Sequence, residues 1–352
     1  LTLCRRRAQT AVGVICTFRM RSETGSTVGQ RVTYPPQGAI MDAFEFTGSN
    51  TAYYLKTAIQ LCIASYDDVT KVVSAVAQDT DLKVVWGPAE LKHWDGISYS
   101  RAFIAEKADT GEFFVVVRGT NFDSLSSWLQ QDFAISTSQP FGSLPGRPPN
   151  VPTDALISQG SFNGMSDLIG LRDPITGATM VEFLSKHAPR YVYVTGHSLG
   201  GTLTPTMFAY LNAMLYGGGR VHNMALWSFA GLTAGGDGFN RYFNGLMPSA
   251  QSLQWRVHNS LDIAPLCWVS KQCLDTLYAV QALAPPLLER DAISDLFRDA
   301  SDADVDYAHP QPGLQLLGEF RSAFPDDDSF AMQALQQHHP ATYQALIAAQ
   351  FP

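Results

Sequence analysis

A continuously apolar strand that enters a glycine-rich turn without a spacer, and leaves it as an apolar helix, restricts a chain to few folds. Here the strand is Tyr191 to Thr195 and the turn is Gly196-His197-Ser198-Leu199-Gly200. The helix runs from Gly201 to Tyr216 and is ended by Gly217-Gly218-Gly219. A strand apolar throughout must be covered on both faces. The pattern recurs upstream, where Ile97 to Glu106 and Glu112 to Arg118 read as a hairpin joined by Ala108-Asp109-Thr110-Gly111, with Phe113 to Val117 again continuously apolar. Met224 to Phe229 and Leu253 to His258 read as further strands. Tyr54, Ala58, Leu61, Cys62 and Ser65 recur at helical spacing within Asn50 to Tyr66, and Ser161 to Leu171 and Met180 to His187 are two more helical stretches. Strands alternating with helices imply an α/β fold, with a mostly parallel central sheet and helices on both faces.

Composition narrows the function classes. At 352 residues and 45% hydrophobic content the chain buries a sizeable core. A net charge of −8 makes the chain a poor candidate for binding nucleic acid, which needs clustered Lys and Arg. Charged residues are 16%, against about 25% in an average globular protein, which suits a surface that meets lipid. No apolar run reaches the length of a transmembrane helix. Residues 1–40 carry Ser, Thr, Gly and Pro without periodicity, end in Tyr34-Pro35-Pro36, and read as a disordered or leader segment before a folded domain over 41–352. Arg5, Arg6 and Arg7 before Ala11 to Phe18 loosely resemble a signal peptide without a small-x-small cleavage site; Met20 and Met41 are alternative starts. The five cysteines have no metal-ligand spacing; Cys267 and Cys273 either close a small disulfide loop or remain buried thiols. The acidic stretch Asp291 to Asp306 lacks calcium-loop spacing and reads as a solvated helix and loop. Neither a metal nor a cofactor is expected.

The turn carries the chemistry. Gly196-His197-Ser198-Leu199-Gly200 fits G-x-S-x-G between a strand and a helix, the context in which a serine hydroxyl projects as a nucleophile. Its flanks must be small, and Gly196, Gly200 and Gly201 supply this. A serine needs a base, and the base an orienting carboxylate. In the α/β-hydrolase order of Ser, acid, His, the acid follows a later strand: Asp262 stands just beyond Leu253 to His258. His93 and His187 come too early, His197 lies beside the nucleophile and is expected to point elsewhere, and His222 and His258 precede the acid. His309, His338 and His339 remain. Oxyanion donors are expected from the Leu199 main chain and from Thr120, which follows Arg118-Gly119 at a strand end.

These residues resemble the class 3, fungal-type lipase family. Val194 to Gly201 looks like its nucleophile motif, and Val117-Arg118-Gly119-Thr120 like its oxyanion strand. Gln159-Gly160-Ser161-Phe162 is similar to its Gly-Phe step, and Val257 to Pro265 to its acid motif with Asp262 on the acid. His338-His339-Pro340-Ala341-Thr342-Tyr343 resembles its closing His-containing helix. In many members the His precedes a Tyr by five, which favours His338; others use four, which selects His339. The resemblance spans Ala52 to Ala348, with the five motifs in order. It implies an α/β-hydrolase with a short helical lid after the oxyanion strand, where Asp123, Ser124, Leu125, Trp128 and Leu129 stand. Trp128 precedes Asp132 by four residues where the family usually shows three, and the chain between Asp262 and His338 is long. The expected activity is hydrolysis of carboxylic esters of lipids, foremost triacylglycerols, through an acyl-enzyme on Ser198. The alternatives are a phospholipase A1, a feruloyl-type esterase, or a catalytically silent interaction module. Partners implied are a lipid ester and a lipid surface, and the family's habit favours secretion.

Overall fold

The computed structural model describes residues 51–92, 98–119, 134–189, 191–218, 224–246, 254–269, 277, 291, 294–295, 298–310, 313–320 and 330–352. The 1–40 segment, Thr120, Cys273 and the expected lid from Asp123 to Leu129 lie outside them.

The elements in chain order are helices α1 (Thr51–Ser65) and α2 (Val69–Asp79), then strands β1 (Lys83–Lys92), β2 (Ser98–Lys107) and β3 (Glu112–Val117). A small pair, β4 (Ser138–Pro140) and β5 (Leu156–Ser158), precedes α3 (Gln159–Gly170) and α4 (Met180–His187). The central part is β6 (Tyr191–His197), α5 (Leu199–Tyr216), β7 (Met224–Phe229), α6 (Asp237–Leu246) and β8 (Gln254–Asn259). The chain closes with β9 (Gly313–Leu316), α7 (Phe330–His338) and α8 (Pro340–Gln350).

Seven of the described strands form one sheet in the order β1-β2-β3-β6-β7-β8-β9. The pairs β1–β2 and β2–β3 are antiparallel, and every pair from β3 to β9 is parallel. This is the mostly parallel sheet that the alternation of strands and helices implies. β1, β9 and α2 escaped the sequence reading. β1 contains Gly87-Pro88 and β9 has only four residues, so neither carries a long apolar run.

Strand residues alternate between two covered faces. One face presents Phe114, Tyr193 and Trp227 to Tyr54 of α1, with ring centroids 4.8 Å apart for Phe114–Tyr193 and 5.7 Å for Tyr54–Trp227. The other presents Val115, Val192, Val194 and Leu226 to a cluster that includes Met165 and Leu168 of α3, Leu184 of α4, Leu203 and Met207 of α5 and Phe243 of α6. Side chains of this size stabilise the fold by roughly 1.5–3 kcal/mol each when fully buried. The alternation also decides the site. Thr195 and His197 point to the α1 face, where Thr195 Oγ1 lies 3.5 Å from the Cys62 sulfur and His197 Nδ1 2.9 Å from the Tyr66 hydroxyl just beyond α1.

Candidate active site

Ser198 links β6 directly to α5, with φ 61° and ψ −125°. An L-residue held there stores roughly 1–3 kcal/mol of backbone strain and persists only where its surroundings over-determine it. They do so here. The Ser198 N–H donates to the Phe229 carbonyl at the end of β7 (3.0 Å), and the Ser198 carbonyl accepts from the Thr202 N–H (2.8 Å) and hydroxyl (3.1 Å). The Thr202 hydroxyl oxygen accepts in turn from the Leu232 N–H (2.9 Å). A Cβ on Gly200 would collide with the Val117 carbonyl, and one on Gly201 with that of Phe229. Pro205, inside α5, has no N–H for the Gly201 carbonyl one turn earlier. The hydroxyl of Ser228 donates to that carbonyl instead (2.7 Å), so the first turn of α5 is pinned to β7.

The structure brings Ser198, His338 and Asp262 together. The Ser198 Oγ lies 2.8 Å from His338 Nε2. His338 Nδ1 donates to Asp262, 3.0 Å from Oδ2 and 3.1 Å from Oδ1. Asp262 also accepts from the Ala264 N–H (2.9 Å, on Oδ1) and the Tyr343 hydroxyl (2.7 Å, on Oδ2). An acceptor this well supplied orients an imidazole and favours the imidazolium that forms when a hydroxyl surrenders its proton. His339, one residue on, does not reach the serine; its Nδ1 accepts from the Ala341 N–H (3.2 Å) and caps α8. His309 donates through Nε2 to the Pro265 carbonyl (2.6 Å) and takes no part.

Leu199 is the first residue of α5, and its N–H is one that a helix leaves without an internal partner. Gly119 packs so closely on the nucleophile that a Cβ there would collide with the Tyr66 hydroxyl and the His197 carbonyl and stand 3.1 Å from the Ser198 Cβ. That approach brings the strand end preceding Thr120 against Ser198, although Thr120 itself lies outside the described residues. Ser198 is 0% exposed, Asp262 1% and His338 5%, so the three side chains meet in a largely dehydrated setting.

His197 is turned away from the Ser198 hydroxyl but not out of the site: its Nε2 lies 2.8 Å from the carbonyl of His338, and its Nδ1 2.9 Å from the Tyr66 hydroxyl. Chain position alone marks it only as a histidine to set aside as the base, and Tyr343 only as a spacing marker. The Tyr343 hydroxyl donates to Asp262 and accepts from the Asn259 N–H (3.0 Å). No spacing rule flags Tyr66 or Asn259, because each acts across the fold. Cys267 is a buried free thiol whose pKa burial raises. Among the described residues no group of His, Cys, Asp and Glu could hold a metal ion, and no helix is long and apolar enough to cross a membrane.

Residues 114–270 match the sequence pattern described as lipase (class 3). No curated protein matches the sequence. Among solved structures, M37 lipase is similar at a TM-score of 0.66 with 24% identity, over 86% of this chain and 92% of that one. The Lip2 lipase from Yarrowia lipolytica is similar at 0.51 with 15% identity, over 76% and 80%. At these identities the likeness speaks for the fold, which is that of the α/β-hydrolases.

Proposed function

We propose, from the match of residues 114–270 to the class 3 lipase pattern, a serine hydrolase that cleaves the carboxylic esters of lipids, with triacylglycerol as its substrate. The observation that carries this reading is the unbroken hydrogen-bond chain from Ser198 through His338 to Asp262. Ser198 Oγ attacks the ester carbonyl as its proton passes to His338 Nε2, and the tetrahedral oxyanion is held by the N–H groups of Leu199 and Thr120. His338 returns the proton to the leaving alcohol. A water then attacks the acyl-enzyme by the reverse sequence and frees the fatty acid. Asp262 holds His338 in the required tautomer throughout.

The segment Asp123 to Leu129, which follows the oxyanion residue in the chain, is read as a lid over the site. Leu125, Trp128 and Leu129 share one face at helical spacing, which suits a cover that closes over an acyl groove and docks on lipid when open. Exposing about 200 Å² of apolar surface in water costs roughly 5 kcal/mol, and lipid contact recovers much of it.

The test is a substrate series: nitrophenyl esters of graded chain length, emulsified triacylglycerol, a phospholipid and a feruloyl ester, each with wild type and Ser198→Ala. The reading expects the highest rates on long-chain triacylglycerol, a steep rise once emulsion appears, and a loss on the order of 10⁴-fold in Ser198→Ala. Trp128→Ser should blunt the rise with emulsion more than the rate on a soluble ester. Preference for phospholipid or feruloyl ester would move the substrate class. Wild-type turnover in folded Ser198→Ala would remove the mechanism, and no hydrolysis of any ester would leave a silent module.

A further inference from the structure

The base His338 is the last residue of α7, where a helix leaves its final carbonyls without internal partners. Each of the last three is taken up. The Gln336 carbonyl accepts from the Thr342 hydroxyl (2.6 Å) and the His339 N–H (3.3 Å). The Gln337 carbonyl accepts from Nδ2 of Asn259 (2.9 Å), the last residue of β8, three positions before the acid. The His338 carbonyl accepts from Nε2 of His197, the last residue of β6, one position before the nucleophile.

A carbonyl only accepts, so His197 Nε2 carries the hydrogen, and Nδ1 is left to accept from the Tyr66 hydroxyl. The ring is 1% exposed and stays neutral, because burial and then the neighbouring His338 lower its pKa well below the ordinary value. A neutral ring with one tautomer dictated from both ends is a directional clamp. It also packs against His338, with ring centroids 4.9 Å apart, and stands edge-on to Tyr343.

We infer that His197 and Asn259 are positioning residues, which hold the main chain of the base segment over the nucleophile and the acid through the carbonyls of His338 and Gln337. Neither touches the ester. Their effect is on where His338 Nε2 sits relative to Ser198 Oγ, and misplacement of a reacting group by about 1 Å can cost 10²-fold in rate. The inference rests on the triad reading above and deepens it.

The experiment compares His197→Phe, which keeps a buried ring and removes the donor, with His197→Gln, whose amide nitrogen can reach the Nε2 position. Both are measured on a soluble nitrophenyl butyrate beside wild type, Ser198→Ala and Asn259→Ala, with the folded fraction taken from circular dichroism and thermal melts. His197→Phe should lower kcat by about 10- to 100-fold per folded molecule at unchanged KM. His197→Gln should recover most of that loss even where its melting temperature is no higher than that of the Phe variant. Asn259→Ala should lower kcat with the same KM signature. Folded His197→Phe with wild-type kcat, or activity that follows melting temperature across the set, would overturn the positioning role while Ser198→Ala stayed inactive. Activity in Ser198→Ala would instead overturn the triad on which it rests. If His197→Phe fails to fold, the decision falls to His197→Gln and Asn259→Ala: recovery in the first with a kcat-only loss in the second supports the role, and wild-type kcat in the second removes it.

Discussion

Ser198 and His338 Nε2 are hydrogen-bonded, yet the two sides of that contact are built differently. The nucleophile stands in a tight turn whose geometry is set chiefly by main chain packed on main chain, with the Thr202 and Ser228 hydroxyls bonding to its carbonyls. Gly200 and Gly201 let the first turn of α5 touch the carbonyls of Val117 and Phe229, and the Ser198 N–H is tied to Phe229. The base stands at a helix end whose placement is set by side chains from elsewhere: His197, Asn259, Tyr343 and, through the imidazole, Asp262. A site fixed by backbone contacts needs small residues at adjacent positions. One fixed by side chains needs particular polar groups brought from distant positions, and these have no common spacing.

The largest effect that tests this contrast is at the base itself. His338→Ala should lower kcat on a soluble ester on the order of 10⁴-fold, as Ser198→Ala does, because the members of a triad act as a unit. His339→Ala should keep most of its activity and lose only the cap on α8, about 1 kcal/mol in an equilibrium unfolding measurement. The reverse ranking would move the base by one residue.

Gly200→Ala comes next. Its methyl group meets the Val117 carbonyl, a main-chain atom at the end of β3 that cannot step aside. We expect stability to fall by about 1–3 kcal/mol and turnover by about 10²-fold as the serine is displaced. A variant with native stability and rate would show that the turn is not held by main-chain contacts.

On the other side, Tyr343→Phe removes one donor from Asp262 and one acceptor from the Asn259 N–H without changing the packed ring. Stability should fall by about 1–3 kcal/mol from the buried N–H left unpaired. The kcat should drop roughly tenfold, since Ala264 and His338 still hold the carboxylate. A loss as large as that in His338→Ala would make Tyr343 part of the chemistry.

The last test is of stability against pH, and it falls on the strand that leads to the acid. His258 of β8 has its pKa lowered to about 3, by burial first and then by the neighbouring Arg256. Its folded pKa lies below the ordinary 6.5, so the unfolded chain binds the proton more readily. The stability linked to its neutral form is complete above pH 6.5 and is lost as the pH falls toward about 3, at no more than about 1.4 kcal/mol per unit. His258→Gln should therefore flatten the dependence of melting temperature on pH in that window. An unchanged slope would show that other histidines, His197 and His309 among them, account for the acid sensitivity.

Much of this molecule is legible without coordinates. The strands Met224–Phe229 and Tyr191–His197 and the helix Met180–His187 are read almost to the residue, because covered parallel strands are apolar throughout and helices repeat at their own period. β1 and β9 are not, since an edge strand buries less and shows less pattern. Ser198 and Asp262 follow from chain order and from their places just beyond β6 and β8. His338 was separable from His309 only by family resemblance, and from His339 only by the distance to Tyr343.

The sequence by itself determined the α/β order, the turn that must project a serine, and the acid at the end of a later strand. Each of these depends on neighbours a few residues apart, within reach of local sterics and periodicity. Only the tertiary structure decided which histidine meets Ser198, and that His197 serves the base and not itself alone. It likewise decided that Ser228 takes up the carbonyl left open by Pro205. These outcomes depend on directional hydrogen bonds between residues far apart in the chain, and a partner's identity is settled only when the fold brings donor and acceptor within about 3 Å.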